Sequence, residues 1–222
     1  MNLQIAVNQI LILFMIMGVG LVAKKRNVIN ESSEKTLSVI LLDIALPALM
    51  LSSVNVNYDS ETLPNMLKVF YITLAIFMAV IVFANFTAKI LKFKSPLSDL
   101  YINLLTFANV GFMGFPIANA FFGPVGILYA TVVNLLFNTF LWTYGILIIN
   151  RKGSIDFKKL LNIGTIASAI TILLFVLNIK LPFIIQSALD LTGKMTTPIS
   201  MILIGSFISD IKSLKVFLDW RV

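Results

Sequence analysis

The sequence predicts an all-α integral membrane protein with seven transmembrane helices, and three observations carry that reading. Hydrophobic residues make up 59% of the 222 and charged residues 12%, with a mean hydropathy of +0.97, which is far too apolar for a water-soluble domain. Seven apolar stretches approach or exceed the roughly 20 residues that an α-helix needs to cross the hydrocarbon layer. The basic residues gather in alternate connections, so the formal net charge of +7 reports orientation in a membrane rather than an affinity for nucleic acid. Cysteine and histidine are both absent. Disulfides, thiol nucleophiles, histidine metal sites and histidine acid-base chemistry are thereby excluded, and neither an enzyme, a metal site nor a cofactor is expected.

The first apolar stretch, 5–23, follows Met1-Asn-Leu-Gln without a basic lead or a small-residue cleavage site, so it reads as a span and not as a signal peptide. Lys24, Lys25, Arg26 and Lys35 follow it. The second stretch, 36–54, carries Asp43 in its interior, and Ser52, Ser53, Asn55 and Asn57 at its end read as capping and solvation. Asp59 and Glu61 lead to the third, 67–90, which is flanked by Lys89, Lys92 and Lys94. The fourth, 100–122, meets the fifth, 125–150, at the uncharged Phe122-Gly-Pro-Val-Gly126. Asn134 and Asn138 lie one turn apart on the fifth, and Trp142 and Tyr144 read as interfacial anchors. Arg151, Lys152, Lys158 and Lys159 precede the sixth, 160–179; only Lys180 separates it from the seventh, 187–208; Lys212, Lys215 and Arg221 follow. Bases concentrate in the odd-numbered connections, which places those in the cytoplasm, the N-terminus outside and the chain in the plasma membrane.

The fourth stretch contains Asn109-Val-Gly-Phe-Met-Gly-Phe-Pro116. Proline removes a backbone donor and clashes with the carbonyl one turn back, and Gly111 and Gly114 loosen the same turns, so the helix is expected to break here. Freed backbone groups survive at membrane depth only inside protein or against water, which makes such a break a transport-site signal. A structural kink packed through its glycines is the bland alternative.

Leu46-Pro47-Ala-Leu-Met-Leu51 has a partner in Thr197-Pro198-Ile-Ser-Met-Ile202, at an offset of 151 residues between the two prolines. Five apolar stretches fall in each period, an odd number, so the second copy enters the membrane from the opposite side: an inverted repeat. Residues 1–150 then form a first five-helix repeat and 151–222 the start of a second. The counterpart of the broken fourth helix would lie beyond Val222, and Leu218-Asp-Trp-Arg-Val222 reads as the lead into another segment. The expectation is a fragment lacking its last three helices.

Pro47 with Ser52 and Ser53, the Asn-x-Gly-x-x-Gly-x-Pro core of 109–116 with Ile117 and Phe122-Gly-Pro-Val-Gly126, Leu141-Trp-Thr-Tyr-Gly145 and Thr197-Pro-Ile-Ser-Met-Ile-Leu-Ile-Gly205 together resemble the auxin efflux carrier family, in its bacterial branch of malonate or malate permeases. The resemblance implies ten helices in two inverted five-helix repeats, similar in fold to bile acid sodium symporters. Helices one, two, six and seven would form a scaffold, through which homodimers form, and the others a moving core in which two broken helices cross. It implies that Asn109 faces the substrate and that Pro116 marks the crossover. Plant members carry an Asp and a Lys on the third helix; Lys68 matches the Lys, but Pro64 replaces the Asp.

The candidate substrate-binding residues are therefore Asn109, Gly111, Gly114, Pro116, Ile117, Ser52 and Asn134. Asp43, about 10 Å into its helix from the cytoplasmic end at 1.5 Å per residue, is a proton or cation candidate because an acid at that depth is costly. Asp190 and Lys194 complete the candidate ion or proton site, and their spacing predicts an ion pair along one helix face. The expected function is secondary active transport of a small organic anion, coupled to a proton or sodium gradient, by alternating access. Its partners are that substrate and membrane lipid, with no nucleic acid. The rival is a seven-helix retinal-binding or receptor-type protein with Lys194 as the Schiff base. The third stretch holds no acid to serve as counter-ion, and a buried unpaired cation is costly.

Overall fold

The computed structural model describes residues 3–56, 61–149 and 160–210, and all regular structure among them is helical. Asn57, the acidic Asp59, the basic cluster at Arg151, Lys152, Lys158 and Lys159, and the tail with Lys212, Lys215 and Arg221 lie outside the described residues. Helix α1 spans Leu3–Lys25. Asn30 then caps α2, Glu31–Ile40, by accepting the Ser33 N–H at 2.9 Å, which satisfies one of the four orphan donors of a helix start. A π turn, Leu41–Ala45, joins α2 to α3, Leu46–Ser52, and a 3₁₀ turn, Ser53–Asn55, ends the rod. There follow α4, Thr62–Ile90, and α5, Leu97–Thr106. A second π turn, Val110–Gly114, opens α6, Phe115–Phe140, and a third, Leu141–Gly145, carries α6 into α7, Ile146–Ile149. The remaining helices are α8, Ile163–Val176; α9, Phe183–Gly193; and α10, Thr196–Ser209.

Among the described residues, five helical stretches are long and apolar enough to cross a membrane: Val7–Lys25, Glu31–Asn55, Thr62–Ile90, Leu97–Ile149 and Phe183–Ser209. The fourth of these is not straight. Gly123 has φ +59 and ψ −147, and a Cβ on Gly126 would lie 2.3 Å from the carbonyl oxygen of Ala118. Eight residues of straight helix would separate those positions by about 12 Å. The chain therefore doubles back at Gly123-Pro124, where the sequence places the junction of the fourth and fifth stretches. Helix α8 is shorter than the predicted 160–179, and Phe183–Ser209 is one span with a tightened turn at Lys194–Met195, where the Met195 N–H reaches Thr192.

Two features hold the bundle. Helices α1 and α10 touch backbone to backbone: a Cβ on Gly20 would sit 2.1 Å from the Ile202 carbonyl oxygen, and one on Gly205 1.9 Å from that of Met17. Small residues permit this approach, which is what drives helices together in lipid, where burial of apolar surface offers no gain. At the end of that contact the Lys24 ammonium donates to Glu34 at 2.8 Å and reaches Asp210 at 3.2 Å, while the Ser206 hydroxyl also donates to Glu34. The Glu34 carboxylate is buried, and these partners offset its desolvation. The α2–α3 rod is central. It packs on α6, α8, α9 and α10, with Leu46, Leu49 and Met50 meeting Phe115, Ile127 and Ala167 in one apolar cluster. Large apolar side chains on α1 and α4, Met15 and Val82 among them, face outward as lipid-facing surface does.

Candidate functional site

The break in the fourth stretch lies at Phe107–Asn109, upstream of the glycines and proline. The expected break at Pro116 is corrected on this point: Pro116 sits buried in the first turn of α6, which continues from a π turn without interruption. The strain of the proline is taken up ahead of it by the π turn. Asn109 caps that turn, its side-chain oxygen accepting the Phe112 N–H at 3.0 Å.

The same device appears twice. In each case a five-residue π turn is followed by one residue and a proline: Leu41–Ala45 before Leu46-Pro47, and Val110–Gly114 before Phe115-Pro116. The Leu46 N–H bonds to Leu41, and the Phe115 N–H to Val110. An α-helical Leu42 carbonyl would take its hydrogen from Leu46, and a π-helical one from residue 47, which is proline. Neither is offered, and the Gly111 carbonyl is in the same position. Both residues line one cavity of about 390 Å³. They face each other closely: a Cβ on Gly111 would lie 3.5 Å from Leu42 Cδ2.

That first cavity is polar for a membrane interior. Asp43 and four asparagines, Asn109, Asn134, Asn138 and Asn162, line it. Asn134 is buried and donates to the Ser168 hydroxyl at 3.0 Å, tying α6 to α8, and Asn138 donates to the Asn134 carbonyl. Asn162 caps α8 through the Thr165 N–H. Trp142 lines the cavity too, and the Tyr144 hydroxyl accepts from the exposed Asn85 amide on α4.

A second cavity, of about 500 Å³, lies at the other end of the α2–α3 rod, lined by Ser52, Asn55, Asn119, Gln186, Asp190 and Lys194 among others. Ser52 and Ser53 donate to the Leu49 and Met50 carbonyls, the end-capping expected of them. Asn55 exchanges two hydrogen bonds with the Leu181 backbone, and Gln186 donates to the Ser52 carbonyl at 2.7 Å, so this rim is pinned to α9. Asp190 and Lys194 share the cavity, but the expected ion pair is not made; the ion pairs among the described residues are those of Lys24. Lys194 caps the end of α9 and its N–H still bonds the Asp190 carbonyl at 3.0 Å, so the two residues stand one regular turn apart and only their side chains fail to meet. Lys194 is exposed, which also removes the enclosed setting that a retinal Schiff base requires.

Asp43 and Ser52 are nine residues apart, about 13 Å along a helix. Leu46 lines the first cavity and Leu49 the second, so the apolar layer between them is about one helical turn thick. Phe115 and Met50, both fully buried, fill it.

The predicted site residues thus divide. Asn109, Gly111, Asn134 and Asp43 come together in the first cavity, and Ser52, Asp190 and Lys194 in the second. Gly114 and Pro116 line neither, and Ile117 faces an apolar cleft with Phe14 and Met17 of α1. Lys68 donates to Asn65 on its own helix. Sequence reasoning missed Asn162 and Gln186, and also the buried Glu34, which lay hidden in a charged helix start.

The family described as membrane transport protein, that of the auxin efflux carriers, matches residues 5–159, more than half of the sequence. The chain belongs to this family. An uncharacterized transporter of Methanocaldococcus jannaschii is 26% identical over 228 aligned positions, covering 99% of this chain and 74% of that relative. The resemblance read from the glycine-proline motifs is borne out, and the multi-pass helical chain is a membrane transport protein.

Proposed function

We propose that this membrane transport protein is a secondary active carrier of small organic anions, dicarboxylate-like or auxin-like carboxylates, working by alternating access. The observation that carries the proposal is the pair of polar cavities at opposite ends of one helical rod, divided by an apolar layer one turn thick. An anion in the first cavity meets asparagine amides and the positive end of the half-helix that starts at Asn109. Displacement of α5–α7 against the α2–α3 rod closes one cavity and opens the other. The chain folded back at Gly123 and the helices around it make seven spans, the first seven of an inverted-repeat fold of ten. The N-terminus is extracellular in the plasma membrane, and scaffold helices pair two copies.

Flux tests the proposal. In liposomes carrying the native full-length gene product, labelled malate should exchange against internal malate, and Asn109→Ala should lower the rate at least about 100-fold, as loss of a positioning group does. Exchange no faster than in empty liposomes, across a panel of carboxylates, would overturn the anion-carrier reading. Because the sequence contains no cysteine, single cysteines at Asn27 and Lys180 report orientation: an impermeant maleimide added outside should label only the latter.

A further inference from the structure

We infer that the turn joining α4 to α5 is a binding site for the headgroup of an anionic phospholipid, held by Lys89, Lys92 and Lys94 at the membrane surface. The inference goes beyond the transport reading and does not depend on what the protein carries.

The ends of three helices supply the first observation. After α1, α4 and α8 the chain makes the same left-handed turn, at Asn27 (φ +58), Lys92 (φ +53) and Asn178 (φ +51). In each case that residue gives its N–H to the carbonyl three back. The next residue gives its N–H to the carbonyl five back: Val28 to Ala23, Phe93 to Ala88 and Ile179 to Leu174. Glycine is the usual occupant of the left-handed position, and asparagine the usual substitute. Two of the three turns follow that rule. Lysine at the third bears the steric cost of a left-handed backbone and has no short polar group with which to offset it. An outlier at such a place points to a use for its side chain.

The surroundings identify the use. Helix α4 has 29 residues, about 43 Å of helix, which matches a bilayer measured with its headgroups, about 40–45 Å. The turn at its end therefore stands at headgroup level, and Ile90, Leu91 and Leu97 are exposed beside it as acyl-facing side chains are. Lys89, Lys92 and Lys94 are exposed as well, and they stand in none of the ion pairs among the described residues, which are those of Lys24. The sequence holds no acid between Glu61 and Asp99. Asp99 itself is buried and accepts from the Ser95 hydroxyl at 2.7 Å. The first connection also carries three exposed bases, Lys25, Arg26 and Lys35, but Glu31 and Glu34 lie among them. The α4–α5 turn is pinned in shape: the Phe93 and Tyr101 rings meet edge to face at 5.1 Å between centroids, and the Tyr101 hydroxyl donates to that of Thr87 at 3.1 Å. A phosphodiester arriving there need not order the backbone that carries the three cations. Each lysine at an anionic surface should strengthen binding about fivefold.

The experiment titrates phosphatidylglycerol into the native full-length protein in detergent at low salt and reads the melting temperature, with phosphatidylcholine and inorganic phosphate as comparison ligands. Saturable stabilisation by phosphatidylglycerol alone is expected. Lys89→Gln, Lys92→Gln and Lys94→Gln together should raise the half-saturating lipid concentration about 100-fold. The charge-matched set Lys25→Gln, Arg26→Gln and Lys35→Gln should leave it nearly unchanged. Lys92→Asn is the sharper variant, because it gives this turn the residue found at the other two. Its lipid-free melting temperature should hold or rise while the half-saturating concentration climbs about fivefold. Equal stabilisation by phosphatidylcholine or by inorganic phosphate, equal losses from the two triple variants, or wild-type lipid affinity in Lys92→Asn would overturn the site. Flux plays no part in the readout, so the site and the anion-carrier reading fail separately.

Discussion

The two cavities are walled differently. The first is shaped by irregular backbone: an unwound stretch at 107–109 and two π turns set Asp43 and four asparagines around it, two of them fixed as helix caps. The second is built by side chains on regular helix ends, with Asp190, Lys194, Gln186 and Asn119 projecting from ordinary turns. A ligand in the first meets groups fixed by the helix path itself, at little entropic cost; one in the second meets long side chains that it must order. Under the carrier reading proposed above, selective binding would belong to the first and entry or release to the second.

The largest effect should come from the layer that divides them. Phe115→Ala removes a fully buried ring, and such truncations cost about 3–5 kcal/mol. Thermal unfolding should register the loss, and liposomes should leak small ions through the joined cavities. Retained tightness would mean that the cavities are separated elsewhere. Next come the two walls. A Cβ on Gly193 would meet the Leu49 Cα at 2.7 Å, whereas one on Gly111 has 3.5 Å of room. Gly193→Val should therefore destabilise by about 1–3 kcal/mol, and Gly111→Ala by less than about 0.5 kcal/mol; the reverse order in melting temperatures would show that the close approach of α9 to α3 does not limit side-chain size at Gly193. Ser168→Ala strips the buried Asn134 amide of its acceptor and should cost about 1–2 kcal/mol. Smallest is Lys194→Met. With no ion pair to lose at an exposed site, stability should stay within about 0.5 kcal/mol, while anion uptake at low concentration slows if the second cavity is the entrance.

The sequence made the side-chain cavity easier to see than the backbone one. Asp190 and Lys194 announce themselves as charges in an apolar run, although their spacing suggested a pair that their side chains do not make. Asn109 was legible because asparagine, two glycines and a proline rarely share eight consecutive residues of a membrane helix. The position of the break was not, because a proline acts on carbonyls before it, and whether the helix answers by unwinding or by a π turn depends on what packs there. The helical class and the fold-back at Gly123-Pro124 follow from composition and turn residues alone. The Lys24–Glu34–Asp210 cluster does not, since its members meet only when α1, α2 and α10 are brought together.

The contact of α1 with α10 also bears on how the protein is made. Most of the described chain is synthesised between Lys25 and Thr196, which at translation rates of 5–20 residues per second takes on the order of ten seconds or more. Throughout that time the Gly20 face of α1 has no partner. A glycine face rests in lipid without penalty, whereas the Lys24 ammonium does not, and Glu34 emerges only ten residues later to meet it. The helix is thus electrically settled almost at once and sterically completed last, so a ribosome that stalls before α10 should leave α1 inserted but undocked, a substrate for membrane quality control.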